Sequence, residues 1–318
     1  MNRAFLLIIT GAALWGTIGW YVKHLYALGF TPMEAVTLRV WTSSLILIIY
    51  QLITAPKQLK LHSITDIKYF LGTGILSIIF FNFCMFKAIE LSTLPVATAL
   101  LYTAPAFVTI ISYFLFKETL NRAKMVALCI TLIGTCLVVG FIPLNLKSIQ
   151  IGSIVFGLSS AIGYALYSIF SKFALEKYTS LSVTTYTFFI AAITLIPFFP
   201  YSSKFALLYR PTTLLYAIGL GFLPTAFAYI IYTHGLSKTE ASKASILTTV
   251  EPVVATLIGI FIFNESFSLS QMIGMACIIG AVILLQAYND DQSHEHITLS
   301  KKEKEIYESY VLNDDLKS

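Results

Sequence analysis

Ten apolar stretches of about 20 residues occupy most of this 318-residue chain and restrict what it can fold into. A helix that crosses the roughly 30 Å hydrocarbon core of a bilayer needs about 20 predominantly apolar residues. Only 12% of the residues are charged, where a soluble domain carries about 25%. The stretches cover residues 5–25, 33–53, 69–89, 94–116, 123–142, 150–173, 181–200, 213–234, 241–263 and 270–288. The sequence therefore predicts an all-α integral membrane protein with ten transmembrane helices.

The charges between the stretches predict how the chain is oriented. If the N-terminus faces the cytoplasm, the cytoplasmic segments hold eleven Lys and Arg residues and the opposite loops hold five. Because cytoplasmic loops are enriched in Lys and Arg, this excess predicts a multi-pass protein of the cytoplasmic membrane with both termini in the cytoplasm. Residues 289–318, with four lysines and eight acidic residues, are predicted to form an acidic cytoplasmic tail. The positive charge of the other residues is spread over short loops, which does not suit a nucleic-acid-binding face.

The two halves of the chain resemble each other. Residues 97–118 align without gaps to residues 244–265, with eight of 22 positions identical at an offset of 147 residues. The identical pairs include Pro105 with Pro252 and Glu118 with Glu265. A matched proline and a matched glutamate at one spacing indicate an internal repeat.

This repeat predicts the topology and points to a function. The predicted units are residues 1–143 and 144–288, each with five spans. Because five is an odd number, two successive units insert in opposite orientations and form an inverted repeat. Many secondary transporters have this architecture and move a solute by alternating access to a site near the bilayer midplane. The rival hypothesis is a structural or signalling membrane protein that transports nothing.

Two ionisable residues within the spans are candidate site residues. A charged side chain inside a bilayer is costly and is therefore usually functional. Glu251 lies deep in the ninth span, and its repeat counterpart is Ala104, so the shared scaffold does not require a carboxylate there. It is predicted to bind a cation, accept a coupling proton or pair with Arg39, or else to have a structural role. Arg39 in the second span is predicted to meet a substrate carboxylate or Glu251, or to extend to the interface.

Pro105 and Pro252 predict breaks in the fourth and ninth helices. Proline lacks the backbone N–H and leaves a carbonyl unpaired one turn earlier. Such a break is tolerated where the backbone lines a cavity. A simple kink is the alternative interpretation.

Aromatic residues on the first, fourth and sixth spans are further candidates for a substrate pocket. Trp15, Tyr102 and Tyr164 are the main ones. Aromatic faces beside a carboxylate attract an organic cation and also stack on aromatic solutes. Interfacial belts also use Trp and Tyr, so a belt remains the alternative.

Signatures of catalysis are absent from the sequence. There is no P-loop, no HExxH and no GxSxG motif, which argues against an ATP-driven pump and against an enzyme. His294 and His296 in the tail are too weak a signal for a metal site. We expect no metal and no cofactor. The expected partners are a small solute, the lipid bilayer and a coupling proton or sodium ion; a homodimer is left open.

The order of the motifs resembles the drug/metabolite transporter superfamily, and within it the EamA type with two repeats. The resemblance covers residues 5–287. It is carried by Leu14-Trp15-Gly16-Thr17 with Lys23, by Arg39, by Pro105 with Phe116-Lys117-Glu118, and by Glu251-Pro252 with Phe263-Asn264-Glu265.

This resemblance implies two inverted five-helix halves around a central cavity, with the last helix of each half at the periphery. The cavity would be lined by Trp15, Tyr102, Tyr164 and Glu251. Members of the family export amino acids and other metabolites or take up solutes such as choline or sugars. We therefore expect a transporter of an amino acid or related metabolite, in the direction of export. The alternative is uptake of choline or a similar cation, because Leu14–Gly19 resembles the choline-permease branch.

Overall fold

The computed structural model describes residues 3–140, 150–266 and 268–288, and these residues are helical without a β-strand. The predicted acidic tail, residues 289–318, lies outside the described residues. Ten long helices follow one another: α1 (Arg3–Ala27), α2 (Pro32–Thr54), α3 (Ile64–Glu90), α4 (Leu94–Phe116), α5 (Arg122–Val138), α6 (Ile151–Leu175), α7 (Ser180–Phe198), α8 (Pro211–Leu236), α9 (Ala241–Phe263) and α10 (Leu269–Tyr288). The predicted spans match these helices to within five residues at each end.

Nine of the ten helices in the described ranges are long and apolar enough to cross a membrane, and α5 is the exception. It has 17 residues and ends at Val138, where the prediction placed its end at 142. Residues 139 and 140 form a turn instead. At about 1.5 Å per residue, α5 is about 26 Å long, slightly less than the hydrocarbon core.

The repeat in the sequence reappears in the helix boundaries. Each of the helices α6–α10 begins 147 or 148 residues after its counterpart among α1–α5. The irregular segments also correspond, because α3 contains a π-helical segment at Gly72–Ile79 and α8 contains one at Phe222–Phe227. The described residues therefore hold two sets of five helices with the same internal plan.

The two sets do not form separate bundles. The main helix contacts join α1 to α8 and α3 to α6, and those two pairs are equivalent when the halves are exchanged. The same exchange leaves the pairs α2–α7 and α4–α9 unchanged. Helices α5 and α10 meet at Gly134 and Gly274. An ideal Cβ on Gly134 would lie 2.9 Å from the carbonyl oxygen of Gly274, so a larger side chain there would push the two helices apart. The core is consequently built from both halves.

Helices α4 and α9 are each interrupted in their first half, two or three residues before a proline. Helix α4 breaks at Tyr102–Thr103 and α9 breaks at Thr248–Thr249. Pro105 and Pro252 then stand in the first turn of the continuing helix, where a missing backbone N–H costs nothing. Helix α1 has a comparable break at Gly16–Thr17, whereas its counterpart α6 is continuous.

Candidate functional site

Glu251 lies in the first turn after the break in α9, and the chain brings two tyrosines to its carboxylate. The hydroxyl of Tyr164 on α6 donates a hydrogen bond to Glu251 Oε2 at 3.3 Å. The side chain of Tyr102, at the break in α4, lies close enough to Glu251 to interact with it electrostatically. Three of the predicted site residues therefore meet, and they come from both halves of the chain.

Trp15, at the break in α1, lies in the centre of an aromatic cluster beside this carboxylate. Its ring centroid is 4.9 Å from the rings of both Tyr229 and Tyr232 on α8. The ring of Tyr164 is 6.2 Å away in an edge-on arrangement. These distances fall in the range in which aromatic pairs stabilise one another beyond the area they bury.

Ser77, Tyr167 and Ser168 complete the wall of a small cavity beside Trp15. Its volume is about 10 Å³, which is enough for one water molecule and too little for a solute. Ser168 and the hydroxyl of Tyr232 are 2.7 Å apart, so the polar end of that ring is satisfied. In the described conformation the cluster is closed around this space.

Arg39 is oriented towards the same cluster. Only 6% of its surface is exposed, so the side chain lies inside the molecule instead of extending to the lipid interface. Its Nη2 donates to the hydroxyl of Tyr229 at 3.4 Å, and its guanidinium carbon lies 5.9 Å from the centre of that ring. The guanidinium interacts electrostatically with Glu251, although no ion pair within 4 Å joins these two described side chains.

Two buried donors in this cluster have no acceptor among the described residues. They are the indole N–H of Trp15 and the Nε–H of Arg39. A buried donor without a partner costs about 1–3 kcal/mol, so it is normally retained for a reason. The site thus offers two unpaired donors near one carboxylate acceptor.

A larger cavity of about 970 Å³ lies next to this cluster, and we call it the vestibule. Its lining is mainly apolar and comes from α1, α2, α3, α4 and α9; representative residues are Gly19, Trp20, Met33, Phe83, Phe86 and Ile258. Its rim carries two ion pairs, Lys23 with Glu265 at 2.8 Å and Lys87 with Glu90 at 2.7 Å. All four rim residues lie at the end of the molecule that the charge pattern places opposite the cytoplasm.

The vestibule reaches towards Glu251 along α1. Gly16 lines it, and an ideal Cβ at Gly16 would lie 2.8 Å from the backbone carbonyl of Glu251. No residue larger than glycine fits there without moving α1 away from α9. The close packing of α1 on α9 at this end of the vestibule therefore depends on the glycine in the break of α1.

Tyr229 and Tyr232 are site residues that the sequence reasoning missed. Their counterparts in the first half are Asn82 and Met85, so the repeat gave no reason to select them. Their spacing of three residues on α8, which places both on one face of a helix, was the available signal.

Comparison with known proteins agrees with this architecture. The model of the EamA-like transporter family matches residues 2–140 and again residues 151–286. An uncharacterized transporter of Archaeoglobus fulgidus is 31% identical over 214 residues, which are 66% of this chain and 75% of that protein. The uncharacterized inner membrane transporter YicL of Salmonella typhimurium is 24% identical over 289 residues, 89% of this chain and 95% of YicL.

A solved crystal structure has the same fold. It superposes with a TM-score of 0.72 at 20% identity and covers 88% of this chain and 95% of the other. Together with the two matched repeats, the apolar helices and the related transporters, this confirms the predicted family. The chain is a multi-pass membrane protein that belongs to the EamA-like transporter family.

Proposed function

We propose that this protein is a secondary transporter that exports an amino acid or a related zwitterionic metabolite across the cytoplasmic membrane. It works by alternating access through ten membrane-spanning helices, arranged as two inverted repeats with both termini in the cytoplasm. The solute binds between the aromatic cluster around Trp15 and the carboxylate of Glu251.

The arrangement of unpaired donors and one acceptor carries this proposal. The indole N–H of Trp15 and the Nε–H of Arg39 are buried donors without partners, which suits a solute carboxylate. Glu251 is the acceptor for an ammonium group and already has the hydroxyl of Tyr164 as a neighbour. A zwitterion satisfies both ends and adds no net charge to the interior of a membrane protein, where an unbalanced charge is costly.

Ion pairs at and near the ends of the helices support the topology. Lys124 pairs with Glu240, and Lys177 pairs with Asp66, and all four belong to segments that the charge pattern predicts to be cytoplasmic. Lys23 pairs with Glu265 at the predicted opposite end. Contacts therefore join ends that the prediction assigns to the same side. Under this topology α5 crosses as well, with its 17 described residues reaching most of the way through the hydrocarbon core.

The aromatic rings beside Glu251 favour a second candidate, a permease for choline or a similar organic cation. Rings around a carboxylate attract a quaternary ammonium group. The Arg39 guanidinium next to Tyr229 opposes this candidate, because it repels a cation that has no carboxylate of its own.

Thermal stability of the purified protein tests the two candidates against each other. A ligand that binds the folded state raises the unfolding temperature by mass action. We expect stabilisation by an amino acid and none by the amine that lacks its carboxylate. Stabilisation by choline and by simple amines, with none by any amino acid, would refute the zwitterion proposal and support the permease. Proteoliposomes loaded with the stabilising solute then test transport and its dependence on a proton or sodium gradient.

A further inference from the structure

Glu118 joins the two halves of the chain at the end opposite the vestibule. It follows α4 and has only 8% of its surface exposed. Its Oε1 accepts the backbone N–H of Ala241 at 2.7 Å, and its Oε2 accepts the backbone N–H of Ser242 at 3.1 Å and the Ser242 hydroxyl. Three donors at the start of α9 thus converge on one carboxylate that belongs to the other half.

These bonds replace a cap that α9 does not supply for itself. Glu240 stands at the N-cap position of α9, and its side chain makes no capping hydrogen bond. The first backbone N–H groups of a helix have no partner within that helix, so the Glu118 carboxylate satisfies donors that are otherwise orphaned. Charge-assisted bonds of this kind are about twice as strong as neutral ones.

Lys124 reinforces the same junction. Its side chain is fully buried, and its Nζ donates to Glu240 Oε2 at 2.5 Å and to the carbonyl of Thr119 at 2.6 Å. The segment from Glu118 to Lys124 therefore holds the beginning of α9 through a carboxylate and an ammonium group. These contacts hold the two halves together at the predicted cytoplasmic end.

Glu265 is the repeat counterpart of Glu118 and has the same backbone setting. The N–H of Glu118 donates to the carbonyl of Ser112 at 3.3 Å, and the N–H of Glu265 donates to the equivalent carbonyl of Gly259 at 3.0 Å. The side chain of Glu265 behaves differently, since it is 56% exposed and pairs with Lys23.

The start of α4, which corresponds to the start of α9, is separated from Glu265 by open space. Leu94, Pro95 and Glu265 line a cavity of about 250 Å³ that lies beside the vestibule. Thr93, at the N-cap position of α4, makes no capping hydrogen bond with its side chain. One glutamate of the symmetric pair therefore binds the start of the equivalent helix in the opposite half, and the other binds Lys23 on α1 instead.

We propose that Glu118 is a latch that keeps the pathway shut at the end opposite the vestibule, and that Glu265 is the matching latch for the vestibule. When the vestibule closes, Glu265 leaves Lys23 and accepts the backbone N–H of Leu94, while Glu118 releases Ala241 and Ser242. This inference rests on the proposed alternating access and adds the residues that alternate. Glu118 is a positioning residue: it acts on the solute through α9, which carries Glu251.

Accessibility of two single cysteines tests the latch without any solute. The four native cysteines, Cys84, Cys129, Cys136 and Cys277, are first replaced by alanine. Gly19→Cys reports on the vestibule, and an ideal Cβ there meets no atom within 4 Å. Ser245→Cys reports on the closed end, because Ser245 is 2% exposed and follows the latched residues by one turn. Each protein is reacted with a water-soluble thiol reagent, and the rates are compared.

We expect Gly19→Cys to react readily and Ser245→Cys to be protected. Adding Glu118→Ala removes the latch, so the rate at Ser245→Cys rises about tenfold or more, as the loss of charge-assisted hydrogen bonds implies. The rate at Gly19→Cys falls in the same variant. The matched control Glu265→Ala leaves Ser245→Cys protected, since Glu265 holds no backbone donor in this conformation. Glu118→Gln keeps an acceptor oxygen and gives a smaller shift in the same direction, which maintains the test if the alanine variant folds poorly.

Reciprocal changes at the two cysteines support the latch. Unchanged rates in both Glu118 variants refute it, and so does a rise at both cysteines, which indicates local unfolding. The result is distinguishable from a failure of the proposed solute. If no amino acid stabilises the protein but the reciprocal pattern holds, the solute is wrong and the latch stands. If an amino acid stabilises the protein but the rates do not change, the latch alone is wrong.

Discussion

Lys117 and Asn264 adopt the same left-handed backbone conformation, with φ of 54° in both, at the ends of α4 and α9. They lie 147 residues apart, so the repeat extends to the termination of these helices. A left-handed residue commonly ends a helix, and glycine fits that position best because it has no Cβ. The exposed Lys117 stays there under mild strain so that Glu118, the next residue, is directed towards α9.

Replacing Lys117 by glycine is therefore expected to stabilise the protein. The left-handed conformation destabilises a residue that has a Cβ by about 1–2 kcal/mol, and glycine avoids this cost. Glycine also has more conformational freedom in the unfolded chain, which reduces the gain in stability by about 0.5–1 kcal/mol. The net stabilisation should therefore lie between about 0 and about 1.5 kcal/mol. Thermal unfolding in detergent measures it. Lys117→Ala keeps the Cβ and serves as the control without a gain; equal unfolding temperatures for the two variants would contradict the prediction.

Gly16 and Gly19 form a matched pair within α1. An ideal Cβ at Gly16 would lie 2.7 Å from Cβ of Val254 and 2.8 Å from the carbonyl of Glu251, whereas a Cβ at Gly19 meets nothing within 4 Å. Overpacking of this kind costs about 1–3 kcal/mol. Gly16→Ala should lower the unfolding temperature and weaken solute-dependent stabilisation. Gly19→Ala should leave solute-dependent stabilisation unchanged and should not lower the unfolding temperature, because alanine loses less backbone freedom than glycine when a helix forms. Equal effects at both positions would show that the close approach of α1 to α9 is unimportant.

Glu251→Gln should strongly reduce transport and leave membrane insertion intact. The amide retains the size of the side chain but loses the charge that would hold an ammonium group. Because a hydrogen bond to a charged group contributes about 1.5–3 kcal/mol, we expect roughly a tenfold to hundredfold weaker interaction with the solute. Solute-dependent thermal shifts and flux into proteoliposomes measure the loss. Glu176→Gln, the same change at an exposed glutamate, is the control; near-normal flux in Glu251→Gln would refute the role.

Arg39 distinguishes the two ends of the proposed solute. Arg39→Gln should abolish stabilisation by the amino acid, because no guanidinium remains for its carboxylate. It should at the same time relieve the repulsion of the corresponding amine, so that the amine stabilises the variant better than the wild type. Tyr229→Phe removes the hydroxyl that accepts from Arg39 but keeps the ring, and it tests whether the effect comes only from a misplaced guanidinium. Unchanged stabilisation by the amino acid in Arg39→Gln, or no gain in stabilisation by the amine, would contradict the assignment.

The helices were predictable because a bilayer requires long apolar segments, and the repeat was predictable because residues 97–118 align with residues 244–265. Apolar length fixes where a helix begins and ends to within a few residues, and the matched prolines indicated where α4 and α9 are interrupted. The end of α5 was predicted four residues too late because the apolar run continues past Val138, while the backbone turns at residues 139 and 140. Hydropathy does not detect a turn whose residues are also apolar.

The candidate site was predictable only in part. A carboxylate in an apolar helix is conspicuous, so Glu251 could be found. Trp15, Tyr102 and Tyr164 were candidates because aromatic faces beside a carboxylate attract a cation, and the family resemblance then implied that they line a cavity. That Tyr164 reaches Glu251 while Arg39 turns towards Tyr229 depends on how α2, α6 and α8 pack, and no local pattern contains this information. The vestibule is likewise a product of packing, since most of its lining residues are ordinary apolar side chains in the sequence.

Pro95 makes the two ends of the molecule unequal. It occupies the place in α4 that Ser242 occupies in α9, and it offers neither a backbone N–H nor a hydroxyl to Glu265, where Ser242 offers both to Glu118. The resting equilibrium should then favour the conformation with the vestibule open. A solute that arrives from the other side can bind only the conformation that is open to that side. Its apparent affinity is the intrinsic affinity multiplied by the fraction of molecules in that conformation, which is small. One imino acid at the start of one helix would thus set different half-saturating concentrations on the two faces of the membrane.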